Sequence, residues 1–233
     1  MPTNLKVIEK SIQGAIDRSS QNSAQFAVFD FDNTCIVNDI GDAMMEHLCR
    51  HELLRGEVLH RYQKLLEEKN IQDAYILCAQ SLAGFTIEKI KSIVTTIIRD
   101  EHATTKLTAR EEILALMDFL TEHGVANWIV SASPQVLVEQ AMAEFGILGK
   151  LIGIRNRIQD GVISAKLEEP LPILSGKVNC IKASIDPVRR PILGVGDSMN
   201  DLAMLEYAEI KLVIDRNNEL TELARSREWL IVS

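Results

Sequence analysis

At 233 residues, 46% of them apolar, the chain is long enough to bury a sizeable core, as one large domain or as a core with a smaller inserted unit. Its formal net charge of -8 argues against broad binding to nucleic acid or an anionic lipid surface, so an anionic substrate would need local cations. From Met1 to Asp17, charged Lys6, Glu9, Lys10 and Asp17 interrupt the apolar residues. That excludes a signal-peptide h-region and predicts a short amphipathic helix. No apolar stretch reaches the roughly 18 residues of a membrane span. Cys35, Cys49, Cys78 and Cys180 are scattered without a C-x-x-C pair, as small buried thiols are in a reducing cytoplasm.

The first strand-type run, Phe26 to Phe29, leads directly into Asp30-Phe31-Asp32-Asn33-Thr34. From about Ile40 to Leu107 the apolar residues keep helical spacing through Met44, Met45, Leu48, Leu53, Leu54, Leu65, Leu66, Ile76, Leu77 and Ile90, without a convincing buried strand. This predicts a helical unit, residues 40–107, inserted into a core made of 1–39 and 108–233. Apolar strands are expected at Val125 to Val130, Pro191 to Val195, Ile210 to Ile214 and Trp229 to Val232. Helical patterns at Ala109 to Glu122, Gln135 to Glu144, Lys177 to Ser184 and Met199 to Tyr207 alternate with them. That alternation predicts an α/β fold with a parallel sheet, whose ligands gather at the carboxyl ends of the strands. Asp160-Gly161, between β-prone residues, predicts a hairpin turn.

The acids fall at those strand ends. Asp30 and Asp32 close the first strand, and Gly196-Asp197-Ser198-Met199-Asn200-Asp201 repeats the design after Ile192 to Val195. Carboxylates crowded this way repel unless a cation or a shared proton compensates, so the clusters point to one metal-assisted phosphate site. A calcium loop starting at Asp30 is excluded, because it needs Gly at its sixth position and Glu at its twelfth, where the chain has Cys35 and Gly41. His47 and His51 lack the Glu of H-E-x-x-H and predict a solvated helix face rather than zinc. Arg189-Arg190 reads as a charged turn, and Gly194 and Gly196 as a strand-to-loop bend without a nucleotide loop.

Taken in order, Asp30-Phe31-Asp32-Asn33-Thr34, then Ser131 after an apolar run, then Lys177, then Gly196 to Asp201 resemble the four motifs of the haloacid dehalogenase superfamily of phosphohydrolases. The likeness covers nearly the whole chain. The insertion is similar to the helical C1-type cap of the phosphoserine phosphatase-like branch, over a Rossmann-like core. The resemblance implies Asp30 as nucleophile, Asp32 as general acid and base, and Mg2+ held by Asp30, the Asp32 main-chain carbonyl and Asp197, with Asp201 in support. The chemistry agrees. A carboxylate attacking a phosphomonoester splits hydrolysis into formation and breakdown of an aspartyl phosphate, and a second carboxyl group protonates the leaving alkoxide. Phosphate and several acids in one cleft require a hard cation with oxygen ligands. Ser131 and Lys177 supply hydroxyl and ammonium donors for the phosphoryl oxygens, with Ser133 and Lys182 as their nearest rivals. Thr34 and Asn200 orient neighbouring acids or the phosphate.

Specificity is expected from the insertion closing over the core. Asp39 lies where phosphoserine phosphatases carry a Glu that holds the substrate ammonium, and it keeps the acid in shortened form. The family's Arg for a substrate carboxylate has no counterpart near Tyr75 to Cys78 or Phe85 to Ile90. This tilts the expected substrate from phosphoserine towards a phosphorylated amine without a carboxylate, such as phosphocholine or phosphoethanolamine. Tyr62, Tyr75 and Phe85 could form a sparse cage for a quaternary ammonium, or simply the packing of the insertion. The alternatives are a phosphoserine or other small-metabolite phosphatase, a phosphotransferase or mutase, and a non-catalytic phosphate sensor. The expected partner is thus a small phosphorylated metabolite, with no nucleic acid and no membrane; oligomeric state is not encoded in any pattern of the sequence.

Overall fold

The computed structural model of the chain describes residues 5–18, 25–101 and 106–233. Residues 1–4 of the expected first helix and 102–105 of the expected insertion lie outside them. Helix α1 (Leu5–Arg18) precedes strand β1 (Gln25–Phe29). After β2 (Ile36–Val37) come α2 (Ile40–Arg50), α3 (Gly56–Glu67), α4 (Ile71–Gln80) and α5 (Ile87–Arg99), and the chain comes back through β3 (Thr108–Ala109). Strands β2 and β3 pair antiparallel, so the helical stretch leaves and rejoins the chain at one place. Then follow α6 (Glu111–Glu122), β4 (Val125–Pro134), α7 (Gln135–Phe145), β5 (Lys150–Ile154) and the hairpin strands β6 (Asn156–Gln159) and β7 (Val162–Leu167). Last come α8 (Gly176–Ser184), β8 (Leu193–Gly196), a 3-10 turn at Met199–Asp201, α9 (Leu202–Tyr207), β9 (Ile210–Ile214), α10 (Glu219–Ser226) and β10 (Leu230–Val232).

Six strands form one sheet in the order β10-β9-β8-β1-β4-β5, with every neighbouring pair parallel. This is the α/β architecture the alternation predicts. Apolar residues project from both faces of β1, as a doubly covered parallel sheet demands. Ala27 and Phe29 join Ile8, Ile12, Ile113, Leu116, Leu137 and Val138 on one side, while Phe26 and Val28 meet Ile181 and Met204 on the other. The larger cluster continues without a break into Met44, Leu48, Ile90, Ile93, Val94 and Ile97 of α2 and α5. A separate small cluster of Met45, Tyr62, Ala74 and Cys78 ties α2, α3 and α4 together.

Several boundaries differ from the sequence pattern. The strand expected to stop at Val130 runs through the small residues 131–134, with a register shift between Val130 and Pro134, so Ser131 lies within β4 rather than after it. The helix expected from Met199 to Tyr207 begins instead as a 3-10 turn, because Asp201 turns back to cap the preceding loop. Ala109 belongs to β3 and not to α6. The edge strand β5 and the short helix α10 carry no element in the sequence reading. At Asp160-Gly161 both residues adopt positive φ, 51° and 77°, as a two-residue hairpin turn with right-handed strand twist requires.

Register places the site. Phe29 lies opposite Ile129 of β4 and Val195 of β8, so β1 and β8 end nearly level while β4 continues past them to Pro134. Asp30 follows one rung beyond and donates its N–H to the Val195 carbonyl at 2.9 Å.

Candidate active site

Beyond Phe29 the backbone coils around the Phe31 carbonyl, which accepts from the N–H groups of Thr34, Cys35 and Ile36. Asn33 adopts φ 58° in this turn, a left-handed conformation that asparagine tolerates better than most residues. The coil directs Asp30 and Asp32 differently. Asp30 Oδ1 accepts from Lys177 Nζ at 2.6 Å, and its Oδ2 accepts from the Thr34 hydroxyl at 3.3 Å. Asp32 Oδ1 accepts from the Ile40 N–H at 2.8 Å, at the start of α2, and its Oδ2 accepts from Ser133 Oγ at 2.7 Å and Ser131 Oγ at 3.4 Å.

Gly196 lets the second acidic loop turn tightly. A Cβ there would sit 2.5 Å from the Asp201 Cβ, so only glycine admits the approach. Asp201 Oδ2 then accepts from the N–H groups of Asp197 and Ser198 at 3.0 and 3.1 Å, while its Oδ1 accepts from Lys177 Nζ at 2.6 Å. Lys177 is therefore fully buried between two carboxylates. Burial alone would lower its pKa, but Asp201 and Asp30 outweigh burial and raise it, so it remains an ammonium.

One cation does not neutralise this cluster. Carboxylate oxygens of Asp30, Asp197 and Asp201 lie within 4.8 Å of one another, all buried. Burial, and next the Asp201 charge, hold Asp30 well above the usual carboxylate range despite Lys177. The same two causes, in the same order, push Asp197 up to about 7 against the pull of Arg216 and Lys177. The donor set is all oxygen, anionic and short of positive charge, which fits a hard divalent cation. Asp32 lies outside this trio of carboxylates. Burial pushes it up to about 6, even though the Ile40 N–H and the Ser133 hydroxyl favour its charged form.

A cleft of about 230 Å3 opens over these strand ends. Asp30, Asp32, Asp197 and Asn200 line it from the core side, and Asp39, just ahead of α2, and Tyr75 of α4 line it from the helical side. Asp39 caps α2, its Oδ1 accepting from the Asp42 N–H at 3.0 Å, and burial together with Asp32 and Asp42 raises its pKa strongly. Asn200 Oδ1 accepts from the Leu174 N–H at 2.7 Å. Ser131, Ser133, Thr34, Lys177 and Asp201 are all buried around the acids rather than in the cleft wall. Ser133, the rival of Ser131, makes the shorter bond to Asp32. Lys182, the rival of Lys177, lies elsewhere, its Nζ 5.2 Å from the Tyr207 ring centroid.

Two expected cage residues are not brought to the cleft. Tyr62 packs in the α2–α3–α4 cluster and donates its hydroxyl to Asp42 Oδ1 at 2.7 Å, and Phe85 packs against the main core. Two polar residues that no sequence motif marks do line the cleft, Arg216 and Asn218, from the loop after β9. Arg216 Nη1 lies 3.3 Å from Asp197 Oδ2, and Asn218 Nδ2 donates to the Asp197 carbonyl at 2.8 Å. Their signal was position alone, polar residues directly beyond the apolar run Ile210 to Ile214 at its carboxyl end.

The family model described as haloacid dehalogenase-like hydrolase matches residues 27–206, from β1 to the end of the second acidic loop and its helix. The chain belongs to this hydrolase family. The match spans both acidic loops, Ser131 and Lys177, and makes the protein an enzyme of a family whose phosphatases generally use a divalent metal. Among curated relatives, a Mycobacterium leprae protein named as a putative hydrolase is 24% identical over 219 residues, covering 88% of this chain and 71% of that protein. The phosphorylcholine phosphatase of Pseudomonas aeruginosa is 23% identical over 248 aligned positions, covering 79% and 71%. Among solved structures, a substrate-bound phosphoserine phosphatase superposes with a TM-score of 0.64 at 20% identity, covering 91% of this chain and 94% of that one. Among the described residues, no helix is long and apolar enough to cross a membrane.

Proposed function

We propose that the protein is a Mg2+-dependent phosphomonoester hydrolase that works through an aspartyl phosphate on a small amine-bearing ester such as phosphocholine or phosphoethanolamine. The observation that carries the chemistry is Asp30, held at 2.6 Å by a buried ammonium at the mouth of a sheet-end cleft, with Asp32 beside it in a different environment. Asp30 attacks phosphorus as the bond to the leaving oxygen breaks. Asp32, pushed to about 6, is suited to give that oxygen a proton and later to take one from the water that releases phosphate. Asp30, Asp197 and Asp201, with the Asp32 main-chain carbonyl, would hold the cation, which would neutralise charge on the phosphoryl oxygens and the surrounding carboxylates. Lys177 fixes the Asp30 carboxylate and spaces it from Asp201. Ser131 and Ser133 orient Asp32.

The substrate class rests on Asp39 and Tyr75, which face the acids across the cleft as a carboxylate and a ring for an ammonium, and it is supported by the phosphorylcholine phosphatase among the relatives. In this reading α2 to α5 act as a cap, residues 40–107, over the core. The four free cysteines support a reducing, cytoplasmic setting.

The test is a panel of phosphomonoesters assayed with Mg2+, on the wild-type chain and on Asp30→Asn. Phosphocholine and phosphoethanolamine should be the best substrates, and the substitution should cost on the order of 10³-fold or more in turnover. Wild-type turnover by Asp30→Asn would remove Asp30 as nucleophile. Sugar phosphates or phosphoserine well above the two amines would overturn the substrate class alone.

A further inference from the structure

We propose that Arg216 is a substrate-binding residue of this cleft, its guanidinium gripping a non-bridging oxygen of the phosphoryl group; the proposal rests on the phosphatase reading above. Four carboxylates line the cleft, those of Asp30, Asp32, Asp39 and Asp197, and Arg216 is the one cation among the described residues that do so. A phosphate dianion entering this wall needs positive charge it can touch. Lys177 can give only part of it, since it is fully buried and two of its three N–H donors are engaged with Asp30 and Asp201.

Position favours the phosphoryl group over the leaving group. Arg216 Nη1 is 3.3 Å from Asp197, one of the three clustered carboxylates around Asp30, whereas Asp39 and Tyr75 form the wall from the helices. The guanidinium thus flanks the point where phosphorus must meet Asp30. Its backbone is fixed there. Thr221, fully buried, accepts from the Arg216 N–H at 3.2 Å and donates to Asn218 Oδ1 at 3.2 Å, while Asn218 Nδ2 holds the Asp197 carbonyl. The Arg216 side chain is 38% exposed, so it opens to the cleft, and its planar fork has donors beyond the one used on Asp197. With Asp197 neutralised by a bound divalent cation, those donors suit the geometry of phosphoryl oxygens.

Arg216→Gln should raise KM about 10- to 100-fold for phosphocholine, phosphoethanolamine and phosphoserine alike, with kcat changed far less. The affinity for inorganic phosphate, measured by calorimetry with Mg2+ present, should fall by a similar factor, and Arg216→Lys should recover part of it. Unchanged phosphate affinity would overturn the proposal. So would a KM effect confined to phosphoserine, which would place Arg216 on a leaving-group carboxylate. A loss of Mn2+ affinity without phosphate, large enough to explain the whole KM change, would make Arg216 a positioning residue for Asp197 and equally overturn it. If the wild-type chain hydrolysed none of these esters the phosphatase reading would fall, and phosphate binding by the two variants would still decide Arg216.

Discussion

On the sheet side of the cleft, the side chain of each acid is tied to residues far away in sequence: Asp30 and Asp201 to Lys177, Asp32 to Ser133, Asp197 to Arg216. On the helical side, Asp39 is tied to the Asp42 N–H of the helix it caps, and Tyr75 stands on α4 beside a small apolar cluster. The first wall exists only when β1, β4, β8 and α8 are assembled. The second is organised mainly within a few turns of helix. Substitutions on the sheet side should therefore disturb stability and chemistry together, and those on the helical side should change what binds while the fold stands.

The largest effect belongs to Lys177. Lys177→Met would leave Asp30 and Asp201 buried against each other without their shared ammonium, and removing one partner of a buried ionic cluster costs about 3–5 kcal/mol. For a chain of this size we expect a drop in melting temperature of roughly 10 °C, with turnover lost as well. The loss should be milder at pH 5, where Asp30, which burial and the Asp201 charge hold well above the usual carboxylate range, can protonate. A variant melting like wild type at pH 8 would mean that Lys177 is not what reconciles the acids to burial.

This division also explains what could be seen in the sequence. Asp30, Asp32 and Asp197 were legible because acids directly after apolar runs are rare and chemically costly, and the parallel sheet followed from uninterrupted apolar segments. After its apolar run Ser131 stands out ahead of Ser133, because a strand that continues through small residues leaves no periodic mark to show which hydroxyl reaches Asp32. Strand β5 was missed because Gly153 breaks a short apolar run. Tyr62 and Phe85 read equally as cage or core residues, since burial makes the same demand on an aromatic in either place, and only the packing of α2, α3 and α4 and of the main core separates them. Arg216 was invisible to any motif. A lone arginine after a strand acquires meaning only when β9 sets it beside Asp197, two strands from β1.

A smaller effect should appear in the pH dependence of the metal-free protein. Asp197, at about 7 in the fold and near 3.8 when unfolded, binds its proton more tightly in the native state, as does Asp30. Stability from such a group is complete below about pH 4 and is lost as pH rises through the folded value. Treated with a chelator, the protein should melt at a lower temperature at pH 8 than at pH 5, and Mg2+ should restore stability at pH 8 while adding little at pH 5. A melting temperature that rose from pH 5 to pH 8 without metal would contradict the crowding of the sheet-side acids.

The smallest effect is expected on the helical wall, and it separates two roles of one residue. Asp39 is the N-cap of α2 whatever else it does, since its Oδ1 accepts from the Asp42 N–H. Asparagine caps a helix about as well as aspartate, whereas alanine costs about 1 kcal/mol. Asp39→Asn should therefore leave the melting temperature nearly unchanged, and Asp39→Ala should lower it by a few degrees. If the carboxylate also holds a substrate ammonium, Asp39→Asn should raise KM for phosphocholine and phosphoethanolamine by about tenfold, the size of one charge-assisted contact, while leaving an uncharged ester such as p-nitrophenyl phosphate almost untouched. An equal effect on both kinds of ester would mean that Asp39 serves the site through α2 rather than through its charge, and the helical wall would then owe its selectivity to shape.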